Sequence, residues 1–443
     1  MTVQEKEKGP ENGRFCPFGD IDPFVASSYS PWPGKSKRLA LRWLRRPMPT
    51  HQPQPDSSLP AASNPVSMLD VNRQNGPLHE EISAAIDTVC RSGAFVHGPA
   101  CREFEAAIAA FCGTEHAVGC ASGSDALLLS LMALDVGPGD EVVLPSFTFF
   151  ATAGAVSRLG AKPVFADILP KTFNIDPADV ERKITPRTKA IIPVHLFGQC
   201  CDMQGLTAIA ETKNVPLVED AAQAIGATVD GRRAGSLGTL GCFSFYPTKN
   251  LGGFGDGGMI TTDSQKLADK LRTLRDHGQH PRYQHSLVGV NSRLDTIQAA
   301  ILNVKLSHLE EWTAARSQNA QRYETEFESF KLDTQLGVPQ VLEGSSSVWN
   351  QYTVRVPEGR RDELQHHFVA NKIGSAVYYP IPLHLQECFA DLGYQKGSLP
   401  VTEQASEEVL SLPIFAELTE DEQSHVIRAV AEFYGVESAS RAA

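Results

Sequence analysis

The 443-residue chain has no run of about 20 apolar residues, so no segment is long enough to cross a bilayer as a helix. Its start lacks the basic, apolar and small-residue order of a secretory signal, and the expected compartment is therefore the cytoplasm. Positive charge is short: 40 Lys+Arg stand against 52 Asp+Glu, a formal charge of −12. That balance argues against a broad nucleic-acid surface. Paired cysteines are missing as well. Nine is an odd number, no C-x-x-C occurs, and Cys200 and Cys201 are neighbours, a poor geometry for a structural disulfide. Reduced thiols are expected, with no metal site. No repeat at solenoid periods is visible.

What is present divides at about residue 67. Hydrophobic residues make up 42% and charged residues 21% of the whole, the balance of a globular protein long enough for two or three domains. The first 67 residues hold 11 of the 29 prolines and carry 9 basic against 6 acidic residues. Proline fixes φ and lacks a donor, so residues 1–67 are expected to form a mostly disordered extension. One basic stretch in it, 35–46 (K-S-K-R-L-A-L-R-W-L-R-R), has the pattern of a short amphipathic helix. That stretch is a membrane-surface or partner contact, or a solvated extension, or translation starts at Met68.

From Met68 onward, short apolar runs alternate with helical stretches. The runs lie at 117–120, 141–144, 163–165, 190–194, 215–218 and 243–245, with helices at 125–134, 206–212 and 266–274 between several of them. Continuously apolar strands alternating with helices predict an α/β fold, a mostly parallel sheet flanked by helices on both faces. Past about residue 306 a long polar helix (308–330), strands near 349–356 and an amphipathic helix near 422–433 predict a smaller α/β domain. The expected division is a large domain at 68–306 and a small C-terminal domain at 307–443. Gly253-Phe-Gly-Asp-Gly-Gly258 matches the G-x-G-x-x-G dinucleotide pattern, yet Met259-Ile-Thr-Thr262 after it reads as a strand. The dinucleotide fold needs a helix there, which disfavours a nicotinamide dehydrogenase.

Four segments carry chemistry when taken together. Ala121-Ser-Gly-Ser-Asp-Ala-Leu127 is a turn between strand and helix, where free backbone N–H groups and the helix dipole favour an anion. Val215-Pro-Leu-Val-Glu-Asp220 ends a strand in a carboxylate, at the sheet edge where open α/β folds bind ligands. Asp220 is placed to hold a protonated ring nitrogen, or else to cap a helix or pair with a cation. In Phe243-Ser-Phe-Tyr-Pro-Thr-Lys-Asn-Leu-Gly252, Lys249 follows a strand and precedes glycines. A confined lysine sheds its charge and becomes a nucleophile for Schiff-base chemistry. The fourth is Val290-Asn-Ser-Arg-Leu-Asp295, a polar segment opening a helix.

An anion turn, a ring-nitrogen Asp and a Lys, in that order on a parallel sheet, resemble the large domain of fold-type I pyridoxal 5'-phosphate (PLP) transferases. More narrowly, six motifs resemble the DegT/DnrJ family of sugar-nucleotide aminotransferases: S-G-S-D-A-L (122–127), P-S-F-T-F-F-A-T (145–152), V-E-D-A-A-Q (218–223), F-S-F-Y-P-T-K-N-L-G (243–252), G-V-N-S-R-L-D-T-I-Q-A-A (289–300) and Y-Y-P-I-P-L-H (378–384). The likeness spans about residues 68–434. It implies that Lys249 carries PLP in Schiff-base linkage and shuttles a proton, and that Asp220 pairs with the pyridine nitrogen. It implies further that Phe149 stacks on the ring and Gln223 sits by the ring hydroxyl. Gly123, Ser124 and Ser244 would hold the phosphate with Asn291 from a partner subunit, which implies a homodimer with shared active sites.

The resemblance also implies substrates. The donor is L-glutamate, and the acceptor is a keto group on a nucleotide-linked sugar, a 3-keto UDP- or dTDP-hexose or hexuronate of amino-sugar or surface-polysaccharide biosynthesis. The stretch from His277 to Leu302 is similar to enzymes that aminate UDP-2-acetamido-2-deoxy-3-oxo-glucuronate. Tyr378 and His384 depart from that type, which carries His and Asn there. Arg293 would take a substrate carboxylate through its guanidinium fork, or form an ion pair with Asp295 or Glu219. His277, Tyr378, Tyr379 and His384 would line the sugar pocket. Two alternatives stay open: a PLP-dependent sugar dehydratase, in which a His usually replaces the lysine, and a non-catalytic sensor related to the family.

Overall fold

A computed structural model describes residues 65–436. Residues 1–64 of the extension, with the basic stretch at 35–46, lie outside the described residues, all of which belong to one contact unit, Ala61–Ala443. The end of the expected extension packs on the domain. Val66 is buried and bridges Ile373, donating its N–H to the Lys372 carbonyl at 3.0 Å and accepting from Gly374 N–H at 2.8 Å.

Seven strands build the central sheet: β1 (His116–Cys120), β2 (Glu141–Pro145), β3 (Lys162–Ala166), β4 (Thr188–Ile191), β5 (Val218–Asp220), β6 (Leu240–Ser244) and β7 (Gly258–Thr262). One part runs β3-β2-β4 and the other β5-β6-β7-β1. Parallel bridges Ile191 to Leu217 and Val194 to Asp220 join them edge to edge. All pairings are parallel except those of β7, which runs antiparallel to both β6 and β1. Side chains alternate between two buried layers as the period of a strand requires. Val142 and Leu144 enter the core under helix Gly123–Ala133, while Val143 enters the layer with Leu206 and Ala210. Cys242 and Phe243 divide in the same way. Sheet faces covered on both sides explain why these strands read as unbroken apolar runs.

The glycine-rich segment is followed by strand β7, as its sequence predicts, and no dinucleotide helix follows it. One boundary moves. The apolar run at 215–218 becomes strand β5 only at Val218; ahead of it Leu217 makes a single bridge to Ile191, and Pro216, which has no N–H, only accepts, from Ile191 N–H at 3.0 Å.

After helix Thr296–Leu306 the chain continues in helix Leu309–Ser329 and the antiparallel pair β8 (Tyr352–Arg355) and β9 (Val409–Leu412). Helices Arg361–Ala370 and Glu420–Tyr434 complete a second core around Tyr323, Phe327, Tyr352, Phe368 and Val426, which also takes in Val66. Helix Glu420–Tyr434 starts in a capping box of Thr419 with Glu422 and ends on Gly435 at φ 66°. Among the described residues no helix is long and apolar enough to cross a membrane.

Candidate active site

The site sits at the carboxyl ends of the parallel strands. Asp220, the last residue of β5, is 6% exposed. Its Oδ2 accepts from Thr152 Oγ1 at 2.8 Å and its Oδ1 from Ala222 N–H at 3.3 Å. Burial pushes its carboxyl up, and the Thr152 hydroxyl, the Ala222 N–H and the Lys249 charge oppose this. Asp220 neither caps a helix nor makes an ion pair among the described residues. The carboxylate is held in a fixed orientation with capacity left for one more donor.

Its neighbour Glu219 points to the other side of the strand and is fully occupied. It accepts from His195 Nε2 at 2.9 Å, Gly235 N at 2.7 Å, Leu237 N at 2.8 Å and Gly238 N at 2.7 Å. His195 Nδ1 accepts from Cys201 N–H, which leaves Nε2 as the donor to Glu219. This buried pair lies beneath the crossover where the His195 N–H meets the Asp220 carbonyl at 3.0 Å.

Lys249 lies in the turn after β6, its N–H bonded to the Tyr246 carbonyl at 2.8 Å. Its Nζ makes no hydrogen bond or ion pair among the described residues. Burial pushes the ammonium down to about 8, and Asp220 is the charge that opposes this. At pH 7 about a tenth of such an amine is neutral, against a negligible fraction of an ordinary lysine. An uncommitted amine close to neutrality is suited to attack a carbonyl.

The anion turn is open. Ser122 caps helix Gly123–Ala133, its Oγ accepting from Asp125 N–H at 3.1 Å. The N–H groups of Gly123 and Ser124 have no acceptor among the described residues, as expected at a helix start. Ser244, at the end of β6, packs so closely that a Cβ on Gly123 would sit 2.6 Å from the Ser244 Cβ. Ser292 ties a third segment to the turn, accepting from Ala121 N–H at 3.1 Å and donating to Asp125 Oδ2 at 2.8 Å. Asn291 beside it is exposed.

The aromatic wall is complete. Phe149 is 59% exposed at the start of helix Phe150–Arg158, an apolar ring with a free face. Tyr379 lies 6.2 Å from Phe149 and 6.2 Å from Phe147, ring to ring. Gln223 accepts from Phe197 N–H at 2.7 Å through Oε1, so its amide is oriented with Nε2 toward the Tyr379 hydroxyl at 3.5 Å. Tyr379 therefore stands beside Gln223 and within the electrostatic reach of Asp220. A flat pyridine ring bearing a phosphate fits this set. Gly123 and Ser124 N–H would meet the anion, Phe149 one ring face, Asp220 the nitrogen, and Lys249 an aldehyde.

Residues expected in the substrate pocket scatter more widely. Arg293 Nη1 bonds Asp276 Oδ1 at 2.9 Å, not Asp295 or Glu219, and its Nε and Nη2 stay unused. Asp276, which the sequence reading passed over, is held below its ordinary range despite burial by Gln279 and Arg293. His277, at φ 60°, is exposed and follows Asp276. Tyr378 is half-buried beside Tyr379. His384 differs from expectation. It is buried, with Nδ1 on Ser146 Oγ at 2.7 Å and Nε2 on Glu403 Oε1 at 3.1 Å, so both ring nitrogens are engaged. It ties helix Pro400–Glu408 to the segment leading to Phe149. Thr152 is the other residue that sequence reasoning missed. It lies inside a quoted motif, but a hydroxyl meeting a carboxylate 68 residues away leaves no local signal.

Comparisons with known proteins cover most of this chain. Residues 77–431 match the DegT/DnrJ/EryC1/StrS aminotransferase family. A pleiotropic regulatory protein of Geobacillus stearothermophilus is 51% identical over 83% of this chain and 98% of its own. The UDP-2-acetamido-2-deoxy-3-oxo-D-glucuronate aminotransferase of Pseudomonas aeruginosa is 45% identical over 79% of this chain and 95% of its own. Among solved structures, DesV of S. venezuelae, in complex with a ketimine intermediate, superposes with a TM-score of 0.81 at 44% identity. That match covers 84% of this chain and 99% of DesV. Other solved relatives are described in PLP and pyridoxamine-phosphate forms.

Proposed function

The chain belongs to the DegT/DnrJ/EryC1/StrS aminotransferase family, and from that premise we propose that it moves an amino group from L-glutamate to the 3-keto carbon of a UDP- or dTDP-linked sugar. It is a PLP-dependent transaminase of fold type I. The observation that carries the site assignment is the pairing of one uncommitted amine, Lys249, with one buried carboxylate, Asp220, at the same end of the sheet.

Bound PLP supplies an aldehyde for amine exchange and a ring that accepts electrons from the carbon losing its proton. The chain's own residues do the rest. Lys249 offers Nζ as the nucleophile that links the cofactor. With the donor bound, the same amine would be the base that takes the proton from the donor's α-carbon. Asp220, oriented by Thr152 and Ala222, holds the ring nitrogen protonated, because an anion beside it favours the charged form. Gly123, Ser124 and Ser244 bind the phosphate, and Phe149 covers a ring face. Gln223, fixed by Phe197 N–H, has only its NH₂ to offer the ring hydroxyl.

Arg293 receives a carboxylate on its two unused nitrogens while Asp276 holds the third. His277, Tyr378 and Tyr379 face the sugar. Asn291, exposed on its own chain, completes the phosphate site of a second subunit, so the working unit is a homodimer. The cofactor-binding part is the large domain at 68–306, and the small domain at 307–443 closes the sugar side. Relatives named for UDP- and dTDP-sugar amination support the substrate class.

The 51% identical relative carries a regulatory name, which favours one second reading, a sensor that binds sugar or cofactor without turnover. One cuvette decides. The purified protein is expected to show a yellow band that bleaches on adding L-glutamate and returns on adding a UDP- or dTDP-linked 3-keto-sugar. A band indifferent to every amino donor would support the sensor, and no band after PLP is supplied would overturn the site assignment.

A further inference from the structure

Lys249 is aimed by its backbone alone, since no side chain holds its Nζ. What fixes that backbone is therefore part of the machinery. The chain after Lys249 doubles back, with Gly253 N–H on the Phe245 carbonyl at 2.8 Å. Any Cβ at Gly252 would run into the Pro247 carbonyl. Asn250 anchors one flank, donating to the Val348 carbonyl at 2.8 Å and accepting from Asn350 Nδ2 at 2.8 Å.

The other flank is gripped by a single helix. Gln298 and Lys305 lie seven positions apart on helix Thr296–Leu306, two turns along one face. Gln298 Oε1 accepts from Phe254 N–H at 2.8 Å, and Lys305 Nζ donates to the Gly252 carbonyl at 2.6 Å. Lys305 is 1% exposed, with the rings of Phe254 and Trp312 each 5.9 Å from its Nζ. No carboxylate lies within ion-pair distance of it among the described residues. A buried ammonium without a counter-ion costs stability, and a methionine, unbranched and one atom shorter, would avoid that cost. The contribution of Lys305 must lie in the bond it makes.

We propose that Lys305, seconded by Gln298, is a positioning residue that bolts the glycine loop after Lys249 and so sets the direction of the Lys249 amine. The inference rests on the assignment of Lys249 as the cofactor-bearing lysine. A reacting group displaced by about 1 Å can lose roughly 100-fold in rate, so a loop freed on one flank is felt at the amine before it is felt in the fold.

The test uses the PLP-loaded protein. In Lys305→Met, kcat with L-glutamate should fall about 10- to 100-fold, with KM little changed. The pH midpoint at which the visible band changes should also move, because that midpoint reports the surroundings of the Lys249 nitrogen. Lys305→Arg keeps a donor and should recover most of both. Wild-type kcat and midpoint in Lys305→Met would overturn the proposal, as would losses that Lys305→Arg leaves unrepaired. Should Lys305→Met fail to fold, Gln298→Leu carries the question from a more accessible position. It should show a smaller fall in kcat with the midpoint moved in the same direction, and wild-type values there would overturn the proposal too. A wild-type protein with no visible band would instead strike the function itself.

Discussion

Thr152 lies one hydrogen bond away from Asp220, the carboxylate proposed to hold the ring nitrogen, and Thr152→Val removes only that bond. Valine keeps the shape of threonine and loses the hydroxyl that donates to Asp220 Oδ2 at 2.8 Å. The fold offers no ready substitute. Thr148, 3.1 Å from Thr152, loses a partner by the same change, and Ala222 N–H already serves the other oxygen. A hydrogen bond to a charged acceptor contributes about 1.5–3 kcal/mol. Burial already pushes the Asp220 carboxyl up, and losing the hydroxyl pushes it further, against the ionised form that the ring nitrogen needs. If that energy is felt in the rate-determining proton transfer, the glutamate half-reaction slows by about 10- to 100-fold, at about 1.36 kcal/mol per tenfold. The assay is rapid mixing of PLP-loaded protein with L-glutamate, following loss of the yellow band, beside a titration of cofactor into the empty protein. Thr152→Ser keeps the hydroxyl and should stay within about threefold of wild type, roughly 0.7 kcal/mol by the same conversion. A valine variant with the wild-type half-reaction rate and cofactor affinity would refute the claim that this hydroxyl sets the charge of Asp220.

Further tests follow from single contacts. Asp220→Asn should load PLP yet lose most of the half-reaction, because a neutral amide cannot keep the ring nitrogen protonated; an unchanged rate would remove Asp220 from its role. Gly123→Ala places a Cβ 2.6 Å from that of Ser244, overpacking that costs about 1–3 kcal/mol, and PLP titration should show weakened binding. Unaltered affinity would mean that the phosphate sits elsewhere. Lys249→Met abolishes transamination. It also tests the electrostatics of the cofactor-free protein, since the folded state holds the Lys249 amine at about 8 against an ordinary 10.5. Between those values the unfolded chain binds more protons, so the cost of burying this charged lysine, full below pH 8, is relieved as pH rises through that window. The stability of wild type relative to Lys249→Met should therefore grow from pH 8 upward in denaturant titrations. A constant difference would contradict the depressed value.

Much of this was readable in one dimension because its causes are local. Strands buried on both faces must be apolar throughout, so the runs at 117–120, 141–144 and 163–165 announced themselves. Ser122 caps a helix by contact with Asp125, three residues on. Glycines at 123 and 252 answer to close approaches that allow no side chain. The motif residues Asp220 and Lys249 stood out by residue type at strand ends. Sheet order, the antiparallel course of β7, and the partners of each charged group depend on segments far apart along the chain. Pairing of Arg293 with Asp276 rather than Asp295 is decided by a loop conformation, and His384 becomes a strut because helix Pro400–Glu408 brings Glu403 to it.

The kind of chemistry is written in the order of residues, since an anion turn, a carboxylate and a lysine at successive strand ends are local arrangements of backbone and residue type. How that chemistry is tuned depends on contacts that folding alone creates. The Thr152 hydroxyl on Asp220, the locked Gln223 amide and the grip of Lys305 on the glycine loop after Lys249 join residues 26 to 68 positions apart. The energy of each comes from removing water around a pair that only folding brings together.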